Sequence, residues 1–169
     1  WLREDKLDFQ GKKYQIPLPS DQGTGLGKAL KIINHPYREE IPIALATLGE
    51  KSVEMTAEIA DAWLPAFFMA EGSDAVWGDA LRRGNAKRDP GRPPLEIYAG
   101  GAVAVGEGLE SYRDMSRPGI ALYVGGMGAK DRNFHTELMG RMGLEAEARK
   151  IQDLFLAGKK DEAVMAVPT

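Results

Sequence analysis

Three short apolar segments alternate with two helix-type patterns in residues 41–105, and this alternation constrains the fold more than any other feature. Residues 41–47 (IPIALAT) form a continuous apolar run, and similar runs follow at residues 62–68 and 95–105. Such runs are typical of strands that are buried on both faces, as in a parallel sheet. The alternation therefore predicts an α/β fold with three parallel, adjacent strands joined by right-handed helical connections.

The segments between these runs have helical spacing and recognisable ends. Ser52 is the predicted N-cap of the first helix, and Ser73 is the predicted N-cap of the second. Gly84 is the predicted end of the second helix. The apolar residues that share one face of a predicted helix are Val53, Ala57 and Ala60 in the first, and Val76, Trp77, Ala80 and Leu81 in the second. Each helix is therefore predicted to pack through one apolar face.

Residues 1–40 have little helical periodicity. An alternating pattern around Gly11, in residues 7–16, predicts a short hairpin. The following stretch is rich in Pro and Gly and predicts a loop at residues 17–27.

Residues 106–169 are predicted to be mainly helical, with an interruption at the glycine-rich residues 125–128. A helix is predicted at residues 146–157, with Gly158 just past its end. Within the third predicted strand, the Gly100-Gly101 pair predicts a bulge or a close backbone approach.

Composition excludes several classes of function. The chain of 169 residues has a formal net charge of −3, no Cys and two His. The weak negative charge argues against nucleic acid and anionic membranes as partners. The lack of Cys excludes disulfides and thiolate chemistry and suits a reducing compartment, so we expect a cytoplasmic protein. No apolar run approaches the ~20 residues that span a bilayer, and two His argue against a metal site.

The turn after the first predicted strand is the best-placed candidate site. Residues 46–52 join the carboxyl end of a buried strand to a helix N-terminus, where free amides and the helix dipole favour an anion. Gly49 would let the backbone approach a phosphate, and Lys51 would add positive charge. An ordinary βα turn is the alternative interpretation.

The glycine-rich stretch at residues 23–28 (GTGLGK) is a weaker candidate. A phosphate-binding P-loop needs Gly at the position of Gln22 and Ser or Thr at that of Ala29, and a Rossmann loop needs Gly at that of Lys28. We therefore expect a flexible or lid-like loop here.

Aromatic and histidine side chains give further candidates. Trp63, Phe67 and Phe68 stand at a predicted strand end, so they belong either to the core or to the wall of a substrate or cofactor pocket. His35 and His135 are far apart in sequence and are expected to have no special role.

Several strings, in their order and spacing, resemble the bacterial luciferase-like monooxygenase family. These strings are FQGKKY at residues 9–14, IPIALA at 41–46, GEK at 49–51 and AEIADAWLP at 57–65. Further strings resemble the branch of that family that uses the deazaflavin coenzyme F420. They are ALYVGGMGA at 121–129, NF at 133–134 and AGKKDEA at 157–163.

The resemblance implies that the chain is part of a TIM (β/α)8 barrel. Because that fold usually needs ~250 residues or more, residues 1–169 are expected to form a partial domain with strands five to seven of the family and a helical insertion. The sequence also begins at Trp1 rather than at Met. We therefore expect a longer polypeptide, in which the remainder of the barrel or a second copy covers this segment.

The resemblance also implies where a cofactor binds. In the family, backbone after the fifth strand holds the phosphate tail, which here corresponds to Ala46, Thr47, Leu48 and Gly49, with Lys51 as an added charge. Many members have a further Gly or a Pro in this turn, so the row of amides is expected to be narrower here.

Phe67 and Phe68 are expected, by the same resemblance, to face the substrate pocket. The family's catalytic His or acid lies outside the matched segment, so no catalytic residue is assigned.

Three functions are compatible with these patterns. The first is an F420-dependent oxidoreductase that moves a hydride between the reduced cofactor and a small organic substrate. The second is an FMN-dependent monooxygenase on the same fold. The third is a non-catalytic half-barrel that packs with another chain.

Overall fold

The computed structural model describes residues 7–29, 37–38, 40–101, 103–109 and 111–168. Trp1 and His35 lie outside these residues. The chain divides into two compact units, Trp1–Ile43 and Ala44–Thr169.

The first unit contains a two-stranded antiparallel hairpin. Strand β1 (Phe9–Gln10) pairs with β2 (Gln15–Ile16), as the pattern at residues 7–16 predicts. The Gly11 amide donates to the Tyr14 carbonyl oxygen at 2.8 Å and closes the turn. The described residues from 17 to 29 form turns without a helix or strand, in agreement with the predicted loop.

The second unit contains a three-stranded parallel sheet. Its strands are β3 (Ala44–Leu45), β4 (Ala62–Trp63) and β5 (Glu96–Ile97), in the order β3-β4-β5. The prediction of three parallel, adjacent strands is therefore confirmed.

The strands are much shorter than the apolar runs that predict them. Each strand has two residues, because β3 and β5 have one described neighbour each and Pro65, two residues past β4, has no amide to donate. Gly100 and Gly101 lie beyond the end of β5, so the prediction of a bulge within a strand was wrong.

The first crossover helix, α1 (Glu50–Ile59), begins earlier than predicted. Its N-cap is Gly49, whose carbonyl oxygen accepts from the Val53 amide at 2.9 Å, so Ser52 lies inside the first turn. The Ser52 hydroxyl donates back to that same carbonyl oxygen at 2.8 Å. Ser52 therefore does not cap the helix, because the backbone becomes helical before reaching it.

The second crossover is one long helical segment. It comprises α2 (Ala70–Ser73), a π-helical turn (Asp74–Gly78) and α3 (Asp79–Lys87). Ser73 lies within this segment and Gly84 does not end it, so both predicted ends were wrong.

Gly84 is a packing residue rather than a helix terminator. A Cβ atom at this position would lie 2.2 Å from the Glu54 carbonyl oxygen and 2.6 Å from the Ala57 Cβ, both on α1. The missing side chain therefore allows α3 to approach α1 closely.

Ion pairs cross the same contact between α1 and α3. Arg83 and Lys87 both pair with the Glu54 carboxylate. The hydrogen bond from Lys87, and to a smaller extent that from Arg83, lowers the pKa of the Glu54 carboxyl.

The remainder of the second unit is mainly helical. Its elements are α4 (Ser111–Asp114), α5 (Arg117–Ala121), a π-helical turn (Leu122–Gly126), α6 (Phe134–Arg141), α7 (Glu145–Leu156) and α8 (Lys160–Met165). The predicted helix at residues 146–157 corresponds to α7, which buries Ile151 and is followed by Gly158 at φ +80°. Gly125 and Gly126 remain helical, and the predicted interruption begins only at Met127.

Two tryptophans are the largest fully buried side chains in the described part of the chain. Trp63 comes from β4 and Trp77 from the π-helical turn before α3, and neither has accessible surface. Their rings meet edge to face with centroids 5.2 Å apart. This pair joins the sheet to the second crossover.

None of the helices at the described positions is long and apolar enough to cross a bilayer.

We expect Gly84→Ala to lower the free energy of unfolding by about 1–3 kcal/mol, because the added methyl group overpacks the contact between α1 and α3. Urea denaturation of the full-length protein measures this change. Gly119→Ala in α5 is the matched control, since none of the described atoms lies within 4 Å of its added Cβ. The control should be neutral or stabilise by up to about 1 kcal/mol. Equal effects of the two substitutions would contradict the packing role of Gly84.

Candidate cofactor and substrate site

The turn from Ala46 to Gly49 joins the carboxyl end of β3 to the N-terminus of α1. Ala46 and Gly49 are exposed, whereas Thr47 and Leu48 are half-buried. In parallel sheets, ligands bind at this edge, beyond the carboxyl ends of the strands. The turn that the sequence singles out is therefore open to solvent where a ligand would approach.

Two buried indole groups hold this turn. Trp63 Nε1 donates to the Thr47 carbonyl oxygen, and Trp77 Nε1 donates to the Leu48 carbonyl oxygen, each at 2.8 Å. Because both rings are fully buried and packed against each other, these two donors have fixed positions. The turn therefore has two successive carbonyl groups directed at the core.

The direction of those carbonyl groups sets the direction of the amides. In a trans peptide, the C=O and the N–H point to opposite sides, and the peptide bonds of this turn are trans. The amides of Leu48 and Gly49 therefore point away from the tryptophans. No described residue accepts a hydrogen bond from the amides of residues 48–52.

These amides form a row of backbone donors at the start of α1. The first amides of a helix have no partner within the helix, and its dipole makes this end positive. Gly49 adds no side chain to the row, and among the described atoms a Cβ at this position would contact only Ser52 Oγ, at 3.4 Å. The arrangement suits the oxygen atoms of a phosphate group.

The side chain of Thr47 is bound within the protein. Its hydroxyl pairs with the Thr56 hydroxyl at 2.8 Å, and Thr56 donates to the Ser52 carbonyl oxygen at 2.7 Å. Thr47 therefore offers a ligand its backbone rather than its hydroxyl. Thr56 is fully buried, and sequence reasoning missed its role because a Thr within a helix carries no distinctive signal.

The charges around the turn favour an anion. Lys51 is exposed in the first turn of α1, and no described acidic side chain pairs with it. The adjacent Glu50 would repel an anion, but its carboxylate pairs with Arg83 at 2.7 Å. Lys51 therefore remains as an available positive charge next to the row of amides.

The two phenylalanines that follow β4 have different surroundings. Phe68 packs with the tryptophan pair, with its ring centroid 6.2 Å from that of Trp63 and 6.3 Å from that of Trp77. Phe67 has a φ of +54°, an uncommon backbone conformation for a residue other than Gly. Its ring contacts Tyr123 and His135, with centroid distances of 5.4 and 5.3 Å.

His135, for which the sequence predicts no special role, lies at the centre of an aromatic cluster. Its ring meets those of Phe67, Tyr123 and Phe134 edge to face, with centroids 5.1 to 5.4 Å apart. Its Nδ1 atom is buried and has no hydrogen-bond partner among the described residues, and burial lowers the pKa of the imidazole from its ordinary value of 6.5. The capping residue Asn133, which accepts from the amides of His135 and Thr136, fixes its position at the start of α6.

A search of the described side chains finds no group of three or more His, Asp or Glu residues that could hold a metal ion. The candidate site consists of backbone amides, one lysine, one histidine and aromatic rings.

Comparison with known proteins assigns the chain to a family. The model of the luciferase-like monooxygenase family matches residues 1–169. The chain belongs to the luciferase-like monooxygenase family. A protein of Mycobacterium tuberculosis (strain ATCC 25618 / H37Rv) named "Putative coenzyme F420-dependent oxidoreductase" is 40% identical over 171 aligned positions. The match covers 99% of this chain and 49% of that relative, so the chain spans about half of the relative's length.

We expect Trp77→Phe to lower the free energy of unfolding by about 1–3 kcal/mol, because the Leu48 carbonyl oxygen loses the indole N–H that donates to it. Urea denaturation of the full-length protein measures the loss. Tyr112→Phe is the control, since this half-exposed ring lies on the short helix α4. A change as small as that of the control would show that the indole bond does not hold the turn.

We expect the His135 imidazole to titrate below pH 6.5, because burial disfavours its charged form. The unfolded chain then binds the proton more readily, so stability falls as the pH drops from 6.5 through the pKa of the folded state. An NMR titration of the ring measures the midpoint, with His135→Gln used to assign its signal. A midpoint at or above 6.5 would contradict the burial of this ring.

Proposed function

We propose that the full-length protein is an oxidoreductase that uses coenzyme F420 and passes a hydride between the reduced cofactor and a small organic substrate. The observation that carries this proposal is the row of amides at residues 48–52, which no described residue pairs and whose turn is held by the two buried tryptophans at Thr47 and Leu48. The name of the mycobacterial relative supports F420 as the cofactor.

The residues of the turn suit the phosphate tail of a deazaflavin cofactor. The amides of residues 48–52 would bind its phosphate oxygens, and Lys51 would add a positive charge. When bound, the deazaflavin supplies a carbon centre that carries a hydride, and the protein supplies position and electrostatics. The half-buried Phe67 would form part of the substrate wall, whereas Phe68 would support it from the tryptophan side.

We also propose that the sheet is part of a TIM (β/α)8 barrel. Three parallel strands with helical crossovers fit this fold. Among the described residues, β3 and β5 pair on one side only, and Leu64, Ile97 and Tyr98 beside the strands are 40 to 51% exposed. In the full-length protein, the other strands of the barrel would cover these groups.

The same fold leaves FMN as an alternative cofactor. The family description, luciferase-like monooxygenase, favours this second candidate. Titration with both cofactors separates the two. Tight binding of FMN with no binding of F420 would support the family and contradict the cofactor proposed here. Binding of neither by the full-length protein would favour a non-catalytic role.

We expect Gly49→Val to weaken F420 binding by the full-length protein at least about tenfold, because a branched side chain would stand where the phosphate approaches the backbone. Fluorescence titration with F420 measures the affinity. Gly49 has a φ of −73° and open space at its Cβ position, so the backbone accepts a side chain without strain. A loss of affinity would therefore report on the site rather than on a folding defect, and unchanged affinity would contradict the site.

We expect Lys51→Ala to weaken F420 binding about fivefold, which corresponds to roughly 1 kcal/mol for a partly exposed charge pair. Lys150→Ala on α7 is the matched control, because it removes the same charge from another exposed helical position. Equal affinities for the two variants would contradict a contact between Lys51 and the phosphate tail. The difference should also shrink as the salt concentration rises.

A further inference from the structure

The aromatic cluster of Phe67, Tyr123, Phe134 and His135 is a second feature at the carboxyl side of β4. Three aromatic rings meet the imidazole edge to face. Two of them keep a large accessible area, since Tyr123 is 40% exposed and Phe134 is 45% exposed. The cluster therefore offers apolar ring surface to a molecule outside the core.

His135 is the polar group at the centre of this cluster. No described residue pairs with either of its ring nitrogens, and Nδ1 is buried. A protonated imidazole would need hydrogen-bond acceptors for two N–H groups, whereas the neutral ring needs one. The tautomer that leaves the buried Nδ1 without a proton avoids an unpaired buried donor. His135 then carries its single N–H on Nε2.

From this geometry we propose that His135 donates its Nε2–H to an oxygen atom of the substrate, and that the neighbouring rings bind a planar, largely apolar carbonyl compound. This inference rests on the proposed function, because it names the substrate class of the same site. The site has two halves, the cofactor turn at residues 46–49 and the aromatic cluster around His135, and Phe67 connects them. Phe67 contacts His135 and directly precedes Phe68, which packs on the tryptophan pair that holds the turn.

The chemistry of the cluster selects this class of ligand. Flat rings bind well against aromatic edges and faces. A neutral imidazole gives one directed hydrogen bond without the desolvation cost of a charge. A carbonyl oxygen accepts such a bond, while an anion would gain little from an uncharged donor among apolar rings. The cluster therefore favours an uncharged aromatic or conjugated ketone or aldehyde over a phosphorylated or acidic substrate.

The test uses the full-length protein with two probes of similar shape, acetophenone and ethylbenzene. Ligand-observed NMR titration gives the affinity for each probe. Wild type should bind acetophenone about tenfold more tightly than ethylbenzene, as one hydrogen bond of ordinary strength implies. His135→Phe keeps a ring but removes the donor, so this preference should vanish. His135→Gln keeps an N–H donor and should retain most of it.

The preference between the two probes separates a ligand contact from a structural role. A merely structural histidine would change both affinities together and leave their ratio unchanged. The inference is overturned if wild type shows no preference for acetophenone, or if His135→Phe retains the wild-type preference. F420 titration of the same variants should give the wild-type affinity. Failure of wild type to bind F420, with the probe preference intact, would contradict the proposed cofactor and still support the His135 contact.

Discussion

Two indole hydrogen bonds determine the geometry of the candidate site. Trp63 and Trp77 direct the carbonyl groups of Thr47 and Leu48 into the core. The amides on the other side of those peptides then point outward, where α1 adds its own unpaired N–H groups. Because the tryptophans come from β4 and from the second crossover, the turn is fixed only when these elements pack together. The donor row is thus a product of tertiary structure.

Much of the fold could be predicted from local patterns. The continuous apolar runs identify three parallel strands, and the helical spacing identifies the apolar faces around Val53 and Trp77. The errors concern ends of elements. Glycine is a residue type that often ends helices, so the sequence predicts a helix end at Gly84. Its role in the structure is instead close packing against Glu54 and Ala57. Only the neighbouring helix reveals such a contact.

The two halves of the site differ in how far the sequence reveals them. The turn around Gly49 has a local signature, because a strand end, a glycine and a helix start follow one another. His135 has no such signature, since its contacts with Phe67 and Tyr123 join parts of the chain that are distant in sequence. The N-cap Asn133, which the structure shows at the start of α6, was not predicted from the sequence either.

Hydrogen–deuterium exchange of residues 46–52 in the full-length protein tests the central claim most directly. The claim is that the outward amides of this turn bind the phosphate tail of F420. These amides have no partner among the described residues, so they should exchange rapidly in the free protein and be protected when F420 is added. Protection elsewhere in the protein, with unchanged exchange in this turn, would contradict the account.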